Sequence, residues 1–170
     1  EKFLNMAVDF ARRRKHQWYT VQSMRSLARC YLAQGKLDNA VDKAKETISF
    51  SGEIGDKHYA NMAGLVLAES YVKQHKAEEA EEALQLIEET DPSSDFFVLG
   101  NIQRIRGLSA IESGGDDELA VHHFSRGLTI FEAAEDIYHT ALMHLLLGQH
   151  LDADHAPRAK KHLTTAADIF

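Results

Sequence analysis

Two stretches forty residues apart decide the fold: Leu27-Ala28-Arg29-Cys30-Tyr31 and Leu67-Ala68-Glu69-Ser70-Tyr71. They share a leucine, an alanine and a tyrosine in the same order, and the same shift places Ala40 on Ala80. A fixed period of this length is typical of repeat proteins, in which each repeat is one supersecondary unit stacked on the next.

Two further copies follow in nearly the same register. The third contains Gly107 and Ala120, and the fourth contains Gly148 and Leu163. Residues 1–14 have the pattern of the second half of an earlier copy. Small residues recur at matching positions, which indicates that two helices approach closely there.

Each copy is expected to form two helices, because apolar residues recur at spacings of three and four, as in Val41, Ala44 and Ile48. Asp56 and Asp116 have the residue type that caps a helix N-terminus. The predicted helices are 1–14, 18–34, 37–51, 57–74, 77–90, 95–113, 117–133, 136–151 and 156–170. The predicted organisation is a single all-α array over 1–170, with a partial repeat 1–14 and repeats 18–53, 57–92, 95–133 and 136–170.

The second copy carries the fullest pattern: Leu67, Ala68, Tyr71, Ala80 and Pro92. This pattern resembles the tetratricopeptide repeat, and the first copy matches it through its alanine. The resemblance implies a right-handed α-solenoid of about nine helices. A period of forty, rather than the usual spacing of about 34 residues, resembles the extended variant found in signalling adaptors and large bacterial regulators.

The resemblance also implies where a partner binds, because the first helix of each such repeat lines a concave groove. The positions two before and two after the repeat leucine, with one a turn earlier, are expected to face it. The predicted groove residues are Gln22, Arg25, Arg29, Met62, Leu65, Glu69, Asn101, Arg104, Leu108, Leu142, Leu145 and Gln149. Arg25 and Arg29 lie one turn apart and suit a carboxylate, with Arg104 as a further anchor.

Composition argues against several other functions. The net charge of −7 argues against a dedicated nucleic-acid binder. The one basic run, residues 12–16, fits a helix C-terminus, where cations are favoured. A single cysteine, Cys30, favours an intracellular and here cytoplasmic chain, and no apolar stretch is long enough to span a membrane.

Catalytic and metal signatures are also missing from the sequence. No glycine-rich phosphate loop or nucleophile elbow is present, so no enzyme activity and no cofactor are expected. Seven of the ten histidines follow residue 120. His139 and His144 are five residues apart, as are His150 and His155, so neither pair shares a helix face well. Asp152 and Asp154 lie beside His155, but capping and solvation explain them equally well, and no metal site is predicted.

The predicted function is a non-enzymatic interaction module that binds a peptide or helical segment of another protein, or a neighbouring domain of the same chain. Two alternatives stay open: a ligand-sensing regulatory domain of a larger enzyme or transcription regulator, and a scaffold that self-assembles through its ends. Apolar residues near both ends, including Phe3, Phe10 and Phe170, lead us to expect an excerpt of a longer protein.

Overall fold

The computed structural model describes residues 1–151 and 155–170, and every regular element in those ranges is an α-helix. The helices are α1 Lys2–Arg13, α2 Gln17–Ala33, α3 Leu37–Glu53, α4 Lys57–Lys73, α5 Ala77–Glu88, α6 Phe96–Gly114, α7 Asp117–Ala133, α8 Ile137–His150 and α9 Ala156–Ile169. The predicted all-α fold is confirmed, and the predicted helix ends differ from these by at most two residues. None of the described helices has both the length and the apolarity that crossing a bilayer requires.

The chain divides into two compact units, Glu1–Asp91 with α1 to α5 and Pro92–Phe170 with α6 to α9. Within each unit, every helix packs against the next one along the chain. In the first unit α2 also packs directly on α4, so the first helices of two successive repeats are neighbours. This packing of helix pairs is solenoid-like within each unit. The single array over 1–170 stays a prediction.

The turns after α1, α2, α3, α4, α6 and α7 use one backbone device, and within each unit they follow one another at intervals of twenty residues. The connection between α5 and α6 departs from this interval, with its positive φ of 54° at Asp91. A residue with positive φ, between 54° and 73°, stands at Lys15, Gly35, Gly55, His75, Gly115 and Glu135. The following amide then reaches back into the finished helix: Lys36 N–H donates to the Tyr31 carbonyl, and Lys76 N–H to the Tyr71 carbonyl, both at 3.0 Å. This left-handed cap satisfies carbonyls that the helix end would otherwise leave unpaired.

Aspartates begin four of the helices. The Asp56 side chain accepts a hydrogen bond from the Tyr59 amide, and Asp116 accepts one from Leu119, so both predicted caps are confirmed. Asp95 and Asp136 cap α6 and α8 in the same way. Such caps are each worth roughly 1 kcal/mol.

The basic run lies at the C-terminal end of α1, as expected. Arg12 forms an ion pair with Glu46 of α3. The Arg14 guanidinium lies 5.5 Å from the centre of the Phe10 ring. These contacts give the run a structural role in the first unit.

The two helices of each repeat pack through a small residue at one recurring position of the first helix. This position lies twelve residues after the N-cap of α2, α4, α6 and α8, and it holds Ala28, Ala68, Gly107 and Gly148. The two alanines are fully buried. A Cβ added at Gly107 would lie 2.3 Å from Cε1 of Phe124, and one at Gly148 would lie 2.5 Å from Cγ of Leu163. No side chain fits at either glycine without a shift of the facing side chain or of the helix that carries it.

We expect Gly107→Ala to lower the free energy of unfolding by about 1–3 kcal/mol, because its methyl group overlaps the Phe124 ring. The second repeat holds Ala68 and Leu84 at the matching positions, both buried. The double variant Gly107→Ala/Phe124→Leu recreates that combination. Urea unfolding measures the free energy of unfolding of the two single variants and of the double variant. We expect the double variant to lose roughly 1 kcal/mol less than the sum of the two single losses. Additive losses would contradict the proposed matching of positions.

Candidate functional site

One stripe of α2 carries the side chains of greatest functional interest in the first unit. Trp18, Gln22, Arg25 and Arg29 are spaced four, three and four residues apart, so they lie along one side of the helix. Trp18 is 52% exposed and Arg29 is exposed, while Gln22 and Arg25 are half-buried. The stripe therefore presents an aromatic ring at one end and two guanidinium groups at the other.

Tyr59 of α4 joins the two ends of this stripe. Its ring centre lies 6.3 Å from that of Trp18, in an edge-to-face arrangement. It also interacts electrostatically with the Arg25 guanidinium. Met62, one turn further along α4, is half-buried. We refer to Trp18, Gln22, Arg25, Arg29, Tyr59 and Met62 together as the α2–α4 face.

Arg25 is held in an unfavourable environment. Burial lowers the pKa of its guanidinium, and the charge of Arg29 lowers that pKa further, while Tyr59 opposes the change. The group nonetheless stays protonated at neutral pH, because an arginine side chain does not lose its proton in proteins. Its Nε is buried without a hydrogen-bond partner, and no described residue pairs with Arg25 or Arg29. Two like charges without a counter-ion favour an anionic group.

The corresponding position of α6 shows what such an arginine looks like when it is satisfied. Asn101 and Arg104 stand at the same distances from the start of α6 as Gln22 and Arg25 from the start of α2. Arg104 Nε donates to Asn101 Oδ1 at 2.9 Å, and Asn101 Nδ2 donates to the Phe97 carbonyl at 2.9 Å. Gln22, one methylene longer, makes no such bond to Arg25 Nε.

The other predicted groove residues differ in exposure. Leu65 and Asn101 are buried, at 6% and 4% exposure, so neither offers a side chain for a ligand. The prediction that these two side chains face a groove is therefore wrong. Both α4 and α6 bury residues on several faces rather than along one apolar stripe. Glu69 is half-buried on α4, as are Leu108, Leu142 and Leu145 in the second unit, where Gln149 is exposed. Leu108 and Leu142 pack against the core of that unit.

Trp18 and Tyr59 are absent from the groove residues predicted from the sequence. From the sequence, Trp18 is interpreted as a residue that packs between adjoining helices or, where it is exposed, as an anchor for a partner; the helical spacing that selects Arg25 and Arg29 also selects it. Tyr59 lies one turn before the predicted groove residue Met62, so its own helical spacing also selects it. Its contact with Trp18 comes from the packing of α2 on α4, which the sequence does not give.

The histidines of the second unit have structural partners. His139 Nδ1 lies 2.8 Å from Asp136 Oδ2, and its ring stacks on Phe131 with the ring centres 4.8 Å apart. His150 Nδ1 lies 3.0 Å from Asp117 Oδ1. Within residues 1–151 and 155–170 no three His, Cys, Asp or Glu side chains are grouped to hold a metal ion. Asp152 and Asp154 lie outside the described residues.

One histidine pair links the last two helices. The Nδ1 atoms of His144 on α8 and His162 on α9 are 2.7 Å apart, so one ring must donate its N–H and the other must accept. Burial lowers the pKa of His162, and His144, Arg158 and Lys161 lower it further, while Glu132 opposes the change. The accepting ring of the pair must therefore be neutral.

A scan against models of known protein families finds no match for the chain, and a search of curated proteins finds none either.

We expect Gln22→Asn to raise the free energy of unfolding by about 0.5–1 kcal/mol, because it supplies Arg25 Nε with the acceptor that Asn101 supplies to Arg104. Thermal or urea unfolding measures the change. Gln22→Ala is the matched control and should give no gain, since it introduces no acceptor. A loss of stability in Gln22→Asn would show that Arg25 Nε is not the unfavourable group.

Acid should weaken the fold through His162. Its pKa is lowered in the folded state, so below about 6.5, the ordinary histidine pKa, the unfolded chain takes up the proton first and unfolding is favoured. The contribution is complete above that pH and is lost as the pH falls. Urea unfolding at pH 7.5 and pH 5.5 should show a smaller acid loss for His162→Gln than for the unaltered chain. Equal losses would mean that His162 is not the responsible group.

Proposed function

We propose that this chain is a tetratricopeptide-like repeat module that binds an extended segment of a partner protein on its α2–α4 face. The repeat pattern carries the family assignment, through Leu27, Tyr31, Leu67 and Tyr71 with their intervening alanines. The observation that carries the binding function is the unpaired Arg25–Arg29 couple beside exposed aromatic rings. Buried polar groups normally have partners, whereas Arg25 Nε has none, and the like charge of Arg29 one turn away supports an anionic ligand as the counter-ion of the two guanidinium groups.

The module acts by binding alone in this proposal. Its partner is another protein or a neighbouring domain of the same chain, and the face favours an acidic segment because its two free charges are positive. The single cysteine supports a cytoplasmic setting, where thiols stay reduced. A regulatory domain that senses a peptide for a larger enzyme or transcription regulator would use the same face.

A peptide-display selection tests the proposal when it is run in parallel on the unaltered chain and on Arg25→Glu/Arg29→Glu. We expect one acidic motif to be enriched on the first and lost on the second, because the substitution reverses both charges of the face. Arg13→Glu/Arg126→Glu is the matched control, since it makes the same charge change at two exposed arginines outside the face. That control should retain the motif.

Two results would contradict the proposal. A motif that survives the Arg25→Glu/Arg29→Glu change would move binding to another surface. No enrichment on any variant would favour the self-assembly alternative, which has its own observation: Phe3, Met6 and Phe10 form an apolar stripe on α1 and are 82%, 57% and 63% exposed.

A further inference from the structure

The α2–α4 face has two chemically different ends. An inference about which peptides it selects follows from this difference, and that inference rests on the proposed function. At the aromatic end, Trp18 lies 4.9 Å from Tyr19 and 6.3 Å from Tyr59, measured between ring centres. Trp18 and Tyr19 are 52% and 56% exposed, so their rings offer contact area to a ligand. At the basic end stand Arg25 and Arg29, without partners among the described residues.

The helix fixes the distance between the ends. Trp18 precedes Arg25 by seven residues and Arg29 by eleven. A rise of 1.5 Å per residue separates them along α2 by about 10 Å and about 16 Å. An extended peptide advances roughly 3.3–3.6 Å per residue. Two side chains of such a peptide that contact both ends are therefore about three to five positions apart.

The charge around the face favours a peptide carboxylate over a polyphosphate. Only two cations are available on it, and Glu69 stands on α4 forty residues after Arg29, at the matching position of the next repeat. The chain as a whole carries a net charge of −7. A polyphosphate needs several cations in one place, whereas a carboxylate is satisfied by one or two guanidinium groups.

We propose that the α2–α4 face reads a spaced pair in an extended peptide: a bulky apolar side chain against Trp18 and Tyr59, and an acidic side chain between Arg25 and Arg29, about three to five positions away. The aromatic rings supply the apolar contact and the guanidinium groups supply the charge-assisted hydrogen bonds. The fixed distance between them sets the specificity, because a peptide of other spacing satisfies only one end at a time.

A series of labelled peptides tests this spacing. Each is a Gly/Ser host with one leucine and one glutamate, separated by one to eight positions, and its binding to the full chain is measured by fluorescence anisotropy. We expect the tightest binding at separations of three to five, with a loss of about tenfold or more at separations of one and eight, as for removal of one strong anchor.

Variants of the face assign each end. For the Trp18→Ala variant, replacing the leucine of the peptide with alanine should no longer change the affinity. For the Arg25→Met/Arg29→Met variant, replacing the glutamate of the peptide with glutamine should no longer change the affinity. Leu86→Ala is the matched control, because Leu86 is 63% exposed on α5 and lies outside the face. It should leave the spacing preference unchanged, and circular dichroism confirms that each variant is folded.

Three results would overturn the inference. They are affinity that does not depend on spacing, no binding of any member at about 1 mM, and binding of inorganic triphosphate that depends on Arg25 in the absence of peptide binding. If display selection enriches a motif without this spacing, the inference fails while the peptide-binding function stands. If display enriches nothing, both fail.

Discussion

The close approach of the two helices in each repeat is the constraint on which the rest of the structure depends. It needs a small residue at one position of the first helix, and the chain places Ala28, Ala68, Gly107 and Gly148 there. The facing residue is sized to the space: where the small residue is glycine, a ring or a branched side chain fills the gap, as Phe124 fills the space beside Gly107. The two residues must change together, because close-packed interiors tolerate neither a cavity nor an overlap. Within each unit the left-handed turns recur at intervals of twenty residues, which keeps the small residue and the residue that faces it at matching positions.

Most of the helical fold could be predicted from the sequence because its signals are local and repeated. The apolar spacing fixed the helices to within two residues, and Asp56 and Asp116 marked their starts. The forty-residue shift identified the position at which the helices approach. The depth of individual side chains could not be predicted in the same way. Leu65 and Asn101 are buried because their helices are covered on several sides, and the periodicity of one helix carries no record of how many neighbours it has.

Only part of the candidate site could be predicted, because the sequence shows spacing within a helix but not contacts between helices. Arg25 and Arg29 follow from the helical spacing within α2, and so does their membership of one stripe. Tyr59 joins them through a contact between helices, which a single sequence does not reveal. The unpaired state of Arg25 is also invisible in the sequence, since Gln22 has the hydrogen-bonding groups to pair with it. In the structure it leaves Arg25 Nε without an acceptor.

Arg25 and Arg104 occupy matching positions of their helices, but only Arg104 has its Nε satisfied by a neighbouring side chain. Both stand nine residues after the residue that precedes their helix, and both have an amide side chain three residues earlier. In α6 the shorter amide turns back to the Phe97 carbonyl and offers its oxygen to Arg104, which closes the local hydrogen bonds. In α2 the corresponding Nε has no acceptor, and a like charge stands one turn away. Arg25 therefore lacks a stabilising hydrogen bond that Arg104 makes. Two like charges held one turn apart gain from an incoming anion, because the anion supplies the missing counter-ion. The unsatisfied Nε of Arg25 and the like charge of Arg29 are thus the observations that support the proposed ligand binding at the α2–α4 face.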